Sequence, residues 1–118
     1  MVGDARACVF VAEAGDALVG VSSGALTVGV EFGCAAEVDD LYVAPGMRGR
    51  GLAKRLASAV LDWAESRGAS EILLVITPEA EEAQALTRFY EKLGFKDSRR
   101  ILMYRNAPGL AGGGGQPA

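Results

Sequence analysis

The run Val38-Asp-Asp-Leu-Tyr-Val-Ala-Pro-Gly-Met-Arg-Gly-Arg-Gly-Leu-Ala-Lys-Arg-Leu56 constrains this chain more than any other stretch. It reads as a strand, a Pro-Gly turn, a glycine-rich loop and the first turns of an amphipathic helix. Within it, Arg48-Gly49-Arg50-Gly51-Leu52-Ala53 sets two glycines and two arginines where the helix begins. Glycines let backbone N–H groups approach a ligand closely, and a helix start adds unpaired donors and the positive end of its dipole. Such a loop suits a phosphate or pyrophosphate, although tight strand-to-helix turns also hold glycine for backbone reasons alone. It lacks the lysine and Ser/Thr of a P-loop and the spacing of a dinucleotide-binding Gly-x-Gly-x-x-Gly loop.

Upstream, Cys8-Val-Phe-Val-Ala-Glu-Ala14 is β-branched and aromatic enough for a strand, and Gly15-Asp16 supplies turn residues. A second strand from Ala17 to about Ser22 completes a hairpin. The segment from Gly24 to Gly33 alternates loosely and contains three glycines, so a loop or bulge is expected there. The third strand, Ala35 to Val43, nominally puts Glu37, Asp39, Leu41 and Val43 on one face and Ala36, Val38, Asp40 and Tyr42 on the other. Neither face is cleanly apolar. Carboxylates on a buried strand cost several kcal/mol unless paired or opened to a cleft, so this strand end is exposed or lines a site.

Gly51 to Arg67 is the clearest helix, with Leu52, Leu56, Val60 and Ala53, Ala57, Leu61, Ala64 on one stripe and Gly68 as its stop. Glu71 to Ile76 is a near-continuous apolar run, the pattern of a parallel strand buried on both faces, and completes a βαβ unit. Pro78 opens an acidic helix whose buried stripe is Leu86, Phe89, Tyr90 and Leu93, ended by Gly94. Phe95 and Ile101 to Arg105 supply one or two closing strands. Residues 106–118, with four successive glycines and two prolines, have nothing to pack and are expected to be disordered.

A chain of 118 residues makes one domain with a modest core. Its net charge of −3 gives no electrostatic support for a nucleic-acid or anionic-membrane partner. The absence of histidine removes Ser-His and Cys-His catalysis and every histidine metal site. Two cysteines, Cys8 and Cys34, are too few for a zinc cluster or a disulfide-stapled fold and read as free thiols. No run approaches a membrane span, and the N-terminus lacks a signal-peptide pattern, so a reducing cytoplasm fits best.

Arg48-x-x-Gly51-x-Ala53, entered from Leu41-Tyr42-Val43 and followed by Phe89-Tyr-Glu-Lys-Leu-Gly-Phe95, closely resembles the GNAT superfamily of N-acetyltransferases. The resemblance spans roughly residues 9 to 105 and is strongest at 38–56 and 86–95. It implies an α/β fold: a mixed central sheet with a parallel βαβ core and flanking helices, in an acetyltransferase domain over 1–105. It also implies acetyl-coenzyme A as cosubstrate, with no metal. The strand backbone at Leu41, Tyr42 and Val43 would pair with the pantetheine arm. Arg48, Gly49, Arg50, Gly51, Leu52 and Ala53 would hold the pyrophosphate, and strands splayed at Val43 and at Val75 to Thr77 would admit the thioester.

In the family a primary amine attacks directly, helped by a base and by an acid that protonates the departing thiolate. Tyr90 matches the position of the usual tyrosine acid; a phenol of pKa about 10 is protonated at neutral pH and can donate. Glu37 lies where the histone acetyltransferase branch carries a glutamate base. Asp39, Asp40 and a water chain are rivals for that role. The chain departs from the pattern in having Ala83 where many members have a cofactor-binding asparagine, and in having only about eight residues before its first strand. The reading is acetyl transfer to a small-molecule amine or peptide amine, cationic if the acidic strand end serves the acceptor. The rivals are a non-catalytic acyl-coenzyme A binding or regulatory module, and an interaction domain that binds no cofactor. The unprotected apolar edge of the first strand predicts a homodimer or larger assembly, the alternative being that residues 1 to 8 and the Gly24 to Gly33 segment fold back over it.

Overall fold

In the computed structural model, residues 6–29 and 33–109 are described. The elements run β1 (Ala7–Ala14), β2 (Ala17–Gly29), β3 (Gly33–Val43), a 3-10 turn (Pro45–Met47), α1 (Leu52–Ser66), β4 (Glu71–Leu73), α2 (Pro78–Gln84) and α3 (Leu86–Glu91). Two compact units meet in sequence between Leu86 and Thr87. The first holds a four-stranded sheet in the order β1-β2-β3-β4. Its first two pairings are antiparallel and β3–β4 is parallel, giving the mixed α/β sheet that the sequence implies.

Small residues on β2 set how closely α1 lies on that sheet. A Cβ at Gly20 would fall 2.8 Å from Leu56 Cδ1, and one at Gly24 would fall 2.7 Å from Val60 Cγ1. Between them the buried Ser22 donates its hydroxyl to the Leu56 carbonyl at 2.9 Å. Leu56, Ala57, Val60 and Ala64 are the buried stripe of α1, and Cys8, Ala36, Val38 and Val43 are buried strand residues of the core. The expected helix stripe is therefore the real one, and Gly68, at φ 82°, follows its end.

The register of β3 departs from simple alternation. Val38 pairs with Gly24 and Asp40 with Ser23, so one step on β2 spans two on β3 and Asp39 is the extra, bulged residue. The bulge reverses the phase of the strand. Ala36, Val38, Leu41 and Val43 lie opposite Leu26, Gly24, Ser22 and Gly20 on the helix-facing side, whereas Glu37, Asp40 and Tyr42 belong to the other. This corrects the expectation that Glu37 and Asp39 share a face with Leu41 and Val43. The loop or bulge expected within Gly24 to Gly33 is not seen in its described part: β2 continues in register to Gly29, and the extra residue lies on β3 at Asp39.

Three further expectations change. β4 is only three residues long and forms the outer strand on its side among the described residues, with Leu73 and Val75 exposed, so it is not buried on both faces. The helix from Pro78 is interrupted at Ala85, which adopts φ 51°, ψ 47° and separates α2 from α3. Residues 101–105 form no strand, and Ile101 and Met103 are 86% and 84% exposed. Residues 106–109 are irregular and exposed; the rest of the expected disordered tail lies outside the described residues. In the second unit, Tyr90 is buried with the rings of Phe89 and Phe95 edge-on at 5.0 and 5.4 Å.

Candidate active site

The site begins where β3 parts from β4. Their pairing runs through Ala35–Glu71 and Ala36–Ile72 and stops at Glu37–Leu73. Two residues later the Asp39 bulge turns the strand, and bulges bend and twist their strand. Beyond it β3 keeps β2 on one side only. Ala44 N–H donates to Val19 O at 2.8 Å toward β2. Backbone alternation then directs the N–H and carbonyl of Val43, and those of Leu41 two residues earlier, away from β2. Among the described residues, Leu41 and Val43 thus present an edge with no strand paired to it on the side β4 has left, where the Val43 carbonyl accepts from Arg48 Nε.

That edge leads directly into the loop. Met47 N–H returns to Ala44 O at 2.8 Å and Arg48 N–H to Pro45 O at 3.3 Å, forming the 3-10 turn. Gly49 and Gly51 adopt φ 80° and 81°, and a Cβ on either would meet nothing within 4 Å, so the loop surface above them is open. Gly51 is the N-cap of α1 with no side-chain cap, and the first turn carries no acidic residue. The leading N–H groups of Leu52 and Ala53 are therefore left for a ligand, in the field of the helix dipole. Arg48, Arg50 and Lys54 are exposed around them. Open glycines, uncapped amides and flanking cations fit a pyrophosphate.

Arg48 also turns back on the strand. Its Nε donates to the Val43 carbonyl at 2.9 Å, and its guanidinium lies 6.0 Å from the centre of the Tyr42 ring.

Carboxylates gather at the bulge. The buried Ser23 donates its hydroxyl to Asp40 Oδ2 at 2.6 Å and accepts from Asp40 N–H at 3.2 Å. Burial, and then the neighbouring Asp39, push the Glu37 carboxyl above the ordinary range. Burial and then Asp40 do the same to Asp39. In the second unit, burial raises the Tyr90 phenol, which keeps it protonated. Among the described residues no cluster of three or more His, Cys, Asp or Glu side chains is arranged for a metal ion.

The profile of the Acetyltransferase (GNAT) family matches residues 2–95. This chain belongs to that family. An aminoglycoside N(6')-acetyltransferase type 1 from Salmonella typhimurium is 28% identical over 100 residues, 81% of this chain and 67% of the relative. Glucosamine 6-phosphate N-acetyltransferase 1 from Oryza sativa is 37% identical over 93 residues, 74% of this chain but only 52% of that enzyme. The solved structure of aminoglycoside N-acetyltransferase AAC(6')-Iy with CoA superposes with a TM-score of 0.72 at 25% identity, covering 89% of this chain and 70% of that one.

The GNAT sheet brings Leu41, Tyr42, Val43 and the Arg48–Ala53 loop into one strand–turn–helix unit, with Glu37 at the strand fork behind them. Tyr90 lies in the second unit and is described there alone. Two features of this N-acetyltransferase escape a reading of the residues in sequence: the bulge at Asp39 and the Ser23–Asp40 pair. The signal for the first is present. Val38 and Leu41 are three apart, and two apolar residues at that spacing reach one face of a strand only through a bulge.

Proposed function

We propose that this chain moves the acetyl group of acetyl-coenzyme A to a primary amine by direct attack, without a metal, in the cytoplasm. The observation that carries the reading is the continuity of the open β3 edge at Leu41 and Val43 with the uncapped, glycine-lined start of α1. When bound, acetyl-coenzyme A supplies the activated thioester. Leu41 and Val43 offer backbone donors and acceptors to an extended pantetheine arm, and the amides from Gly49 to Ala53 receive the diphosphate, with the Arg50 cation beside them. Glu37, whose raised pKa brings it nearer to neutrality, takes a proton from the incoming ammonium. Tyr90, by its place in the Phe89–Phe95 motif, gives a proton to the leaving sulfur.

Glu37, Asp39 and Asp40 favour a cationic acceptor, and the named substrates of the matched relatives, aminoglycosides and glucosamine 6-phosphate, are amines. Residues 1–105 form the acetyltransferase domain in this reading, and a second copy covers the β1 edge. Thiol release from acetyl-coenzyme A across a panel of aminoglycosides, amino sugars, polyamines and peptides tests it. Amine-dependent release is the expected result. Cofactor binding with no amine-dependent release would instead identify a non-catalytic acyl-coenzyme A module.

A further inference from the structure

Arg48 links three parts of the site. Its Nε is bonded to the Val43 carbonyl at 2.9 Å, its N–H to Pro45 O at 3.3 Å, and its guanidinium faces the Tyr42 ring at 6.0 Å. The backbone N–H of Arg48 closes the turn, and its side chain ties that turn and the first residue of the loop to the strand end at Tyr42 and Val43. We propose that Arg48 is a positioning residue that locks the loop to the end of β3, rather than a cation that pairs with the diphosphate. The inference rests on the cofactor reading above.

The geometry argues for a lock in three ways. Neither the 3-10 turn nor α1 has a side-chain cap, and Gly49 and Gly51 contribute no side chain, so the Arg48 bond supplies a restraint that the loop's own sequence omits. Ordering a free loop costs backbone entropy, so a loop held in place before binding keeps that cost out of the affinity. The bonded carbonyl belongs to the open edge itself. An amide oxygen has two lone pairs, so Arg48 can hold Val43 in orientation and still leave one acceptor site for a ligand amide. Finally, the contact uses Nε of a planar guanidinium, a geometry that a lysine ammonium does not reproduce.

The test compares CoA with pantetheine, which lacks the diphosphate and nucleotide. Affinities of the wild type, Arg48→Lys and Arg48→Ala are measured by calorimetry for CoA and by NMR titration for pantetheine. A lock predicts that both variants weaken both ligands by a similar factor, about tenfold. It also predicts that the Arg48 Nε–H resonance is protected from exchange in the free wild type and stays protected at CoA saturation. A loss confined to CoA and restored by lysine would establish a diphosphate ion pair and overturn the inference. Tighter pantetheine binding by Arg48→Ala would overturn it in the other direction, making Arg48 a blocking group. Should Arg48→Ala fail to fold, Arg48→Lys and the wild-type Nε–H protection decide. A wild type that binds no CoA overturns the cofactor reading and this inference with it, whereas one that binds CoA while the Nε–H exchanges freely overturns this inference alone.

Discussion

The Ser22 hydroxyl donates to the Leu56 carbonyl across 2.9 Å, from the middle of β2 to the second turn of α1, and both residues are buried. This bond and the glycines on either side fix the height of the helix over the sheet, and hence the position of the uncapped helix start. Gly24 is the tighter flank. A Cβ there would meet Val60 Cγ1 at 2.7 Å and Glu37 O at 3.1 Å, a β-branched helix residue and a backbone atom that yield little. At Gly20 the nearest atom is the end of the Leu56 side chain, which can rotate. Gly24→Ala should therefore cost about 1–3 kcal/mol, more than Gly20→Ala, and Ser22→Ala about 1 kcal/mol. Thermal melts check the order; equal losses at the two glycines would contradict it.

At the loop, Gly51→Ala and Gly51→Asp should separate strain from charge. Both place a Cβ at φ 81°, at a cost of about 1–2 kcal/mol, into space where nothing lies within 4 Å. Only aspartate brings a negative charge to the helix start. Gly51→Asp should melt at or above Gly51→Ala, because its carboxylate meets the positive end of the helix dipole, yet it alone loses acetyl-coenzyme A affinity by more than about tenfold, since near-contact charge repulsion exceeds about 1.4 kcal/mol in a partly dehydrated site. Unchanged affinity by calorimetry would remove the loop from the binding site.

The parts legible in the sequence are those governed by short-range rules. Gly15-Asp16, the Leu56–Val60–Ala64 stripe and the Gly49/Gly51 loop follow from turn chemistry and helical period, and each stands where those rules put it. The facing of Glu37 and Asp39 is not legible by strict alternation, because one bulged residue inverts every side chain beyond it. Glu71 to Ile76 has the composition of a buried strand, yet pairing ends at Leu73 because its partner turns away at the bulge. Arg48's bond to Val43 is likewise a tertiary outcome: the sequence specifies a cation at a loop, and the fold specifies what its Nε reaches.

The Glu37 carboxyl is raised by burial and by Asp39, so in the folded chain it keeps its proton above the ordinary carboxylate value. The contribution to stability is fully present below the unfolded pKa and is lost as pH rises through the raised folded one. Glu37→Gln should consequently flatten the decline of stability across the mildly acidic range. If Glu37 is the base, activity falls as it becomes protonated, and the same substitution should remove the acid limb of the kcat/KM profile. Identical pH–rate profiles for the two proteins would assign the base elsewhere, with Asp39 next to test.

Tyr90 is buried between two edge-on rings, and burial lifts its pKa above the ordinary phenol value, so it is a proton donor at neutral pH. Tyr90→Phe keeps the ring packing and removes the proton. The expected result is a fall in kcat of roughly 10²-fold with cofactor affinity near normal. An unchanged kcat would reduce Tyr90 to a packing residue.

β1 is the outer strand of the sheet among the described residues, and Val9 and Val11, at 37% and 51% exposure, lie on the face away from α1 together with the half-exposed Tyr42. An unpaired apolar edge recruits another strand unless charges or prolines blunt it, and none stands between Cys8 and Ala12. A second copy is the natural occupant. Antiparallel pairing of β1 with its own copy is closed by a two-fold axis, places each residue against its symmetry mate and continues the sheet across the interface. In that arrangement Val11→Lys would bring two like charges near the axis while leaving the helix-facing core untouched. Light scattering at micromolar concentration should therefore give a dimer for this 118-residue chain and a monomer for Val11→Lys, with similar unfolding free energy per chain once the association term is removed. A monomeric, fully active wild type would refute the assembly.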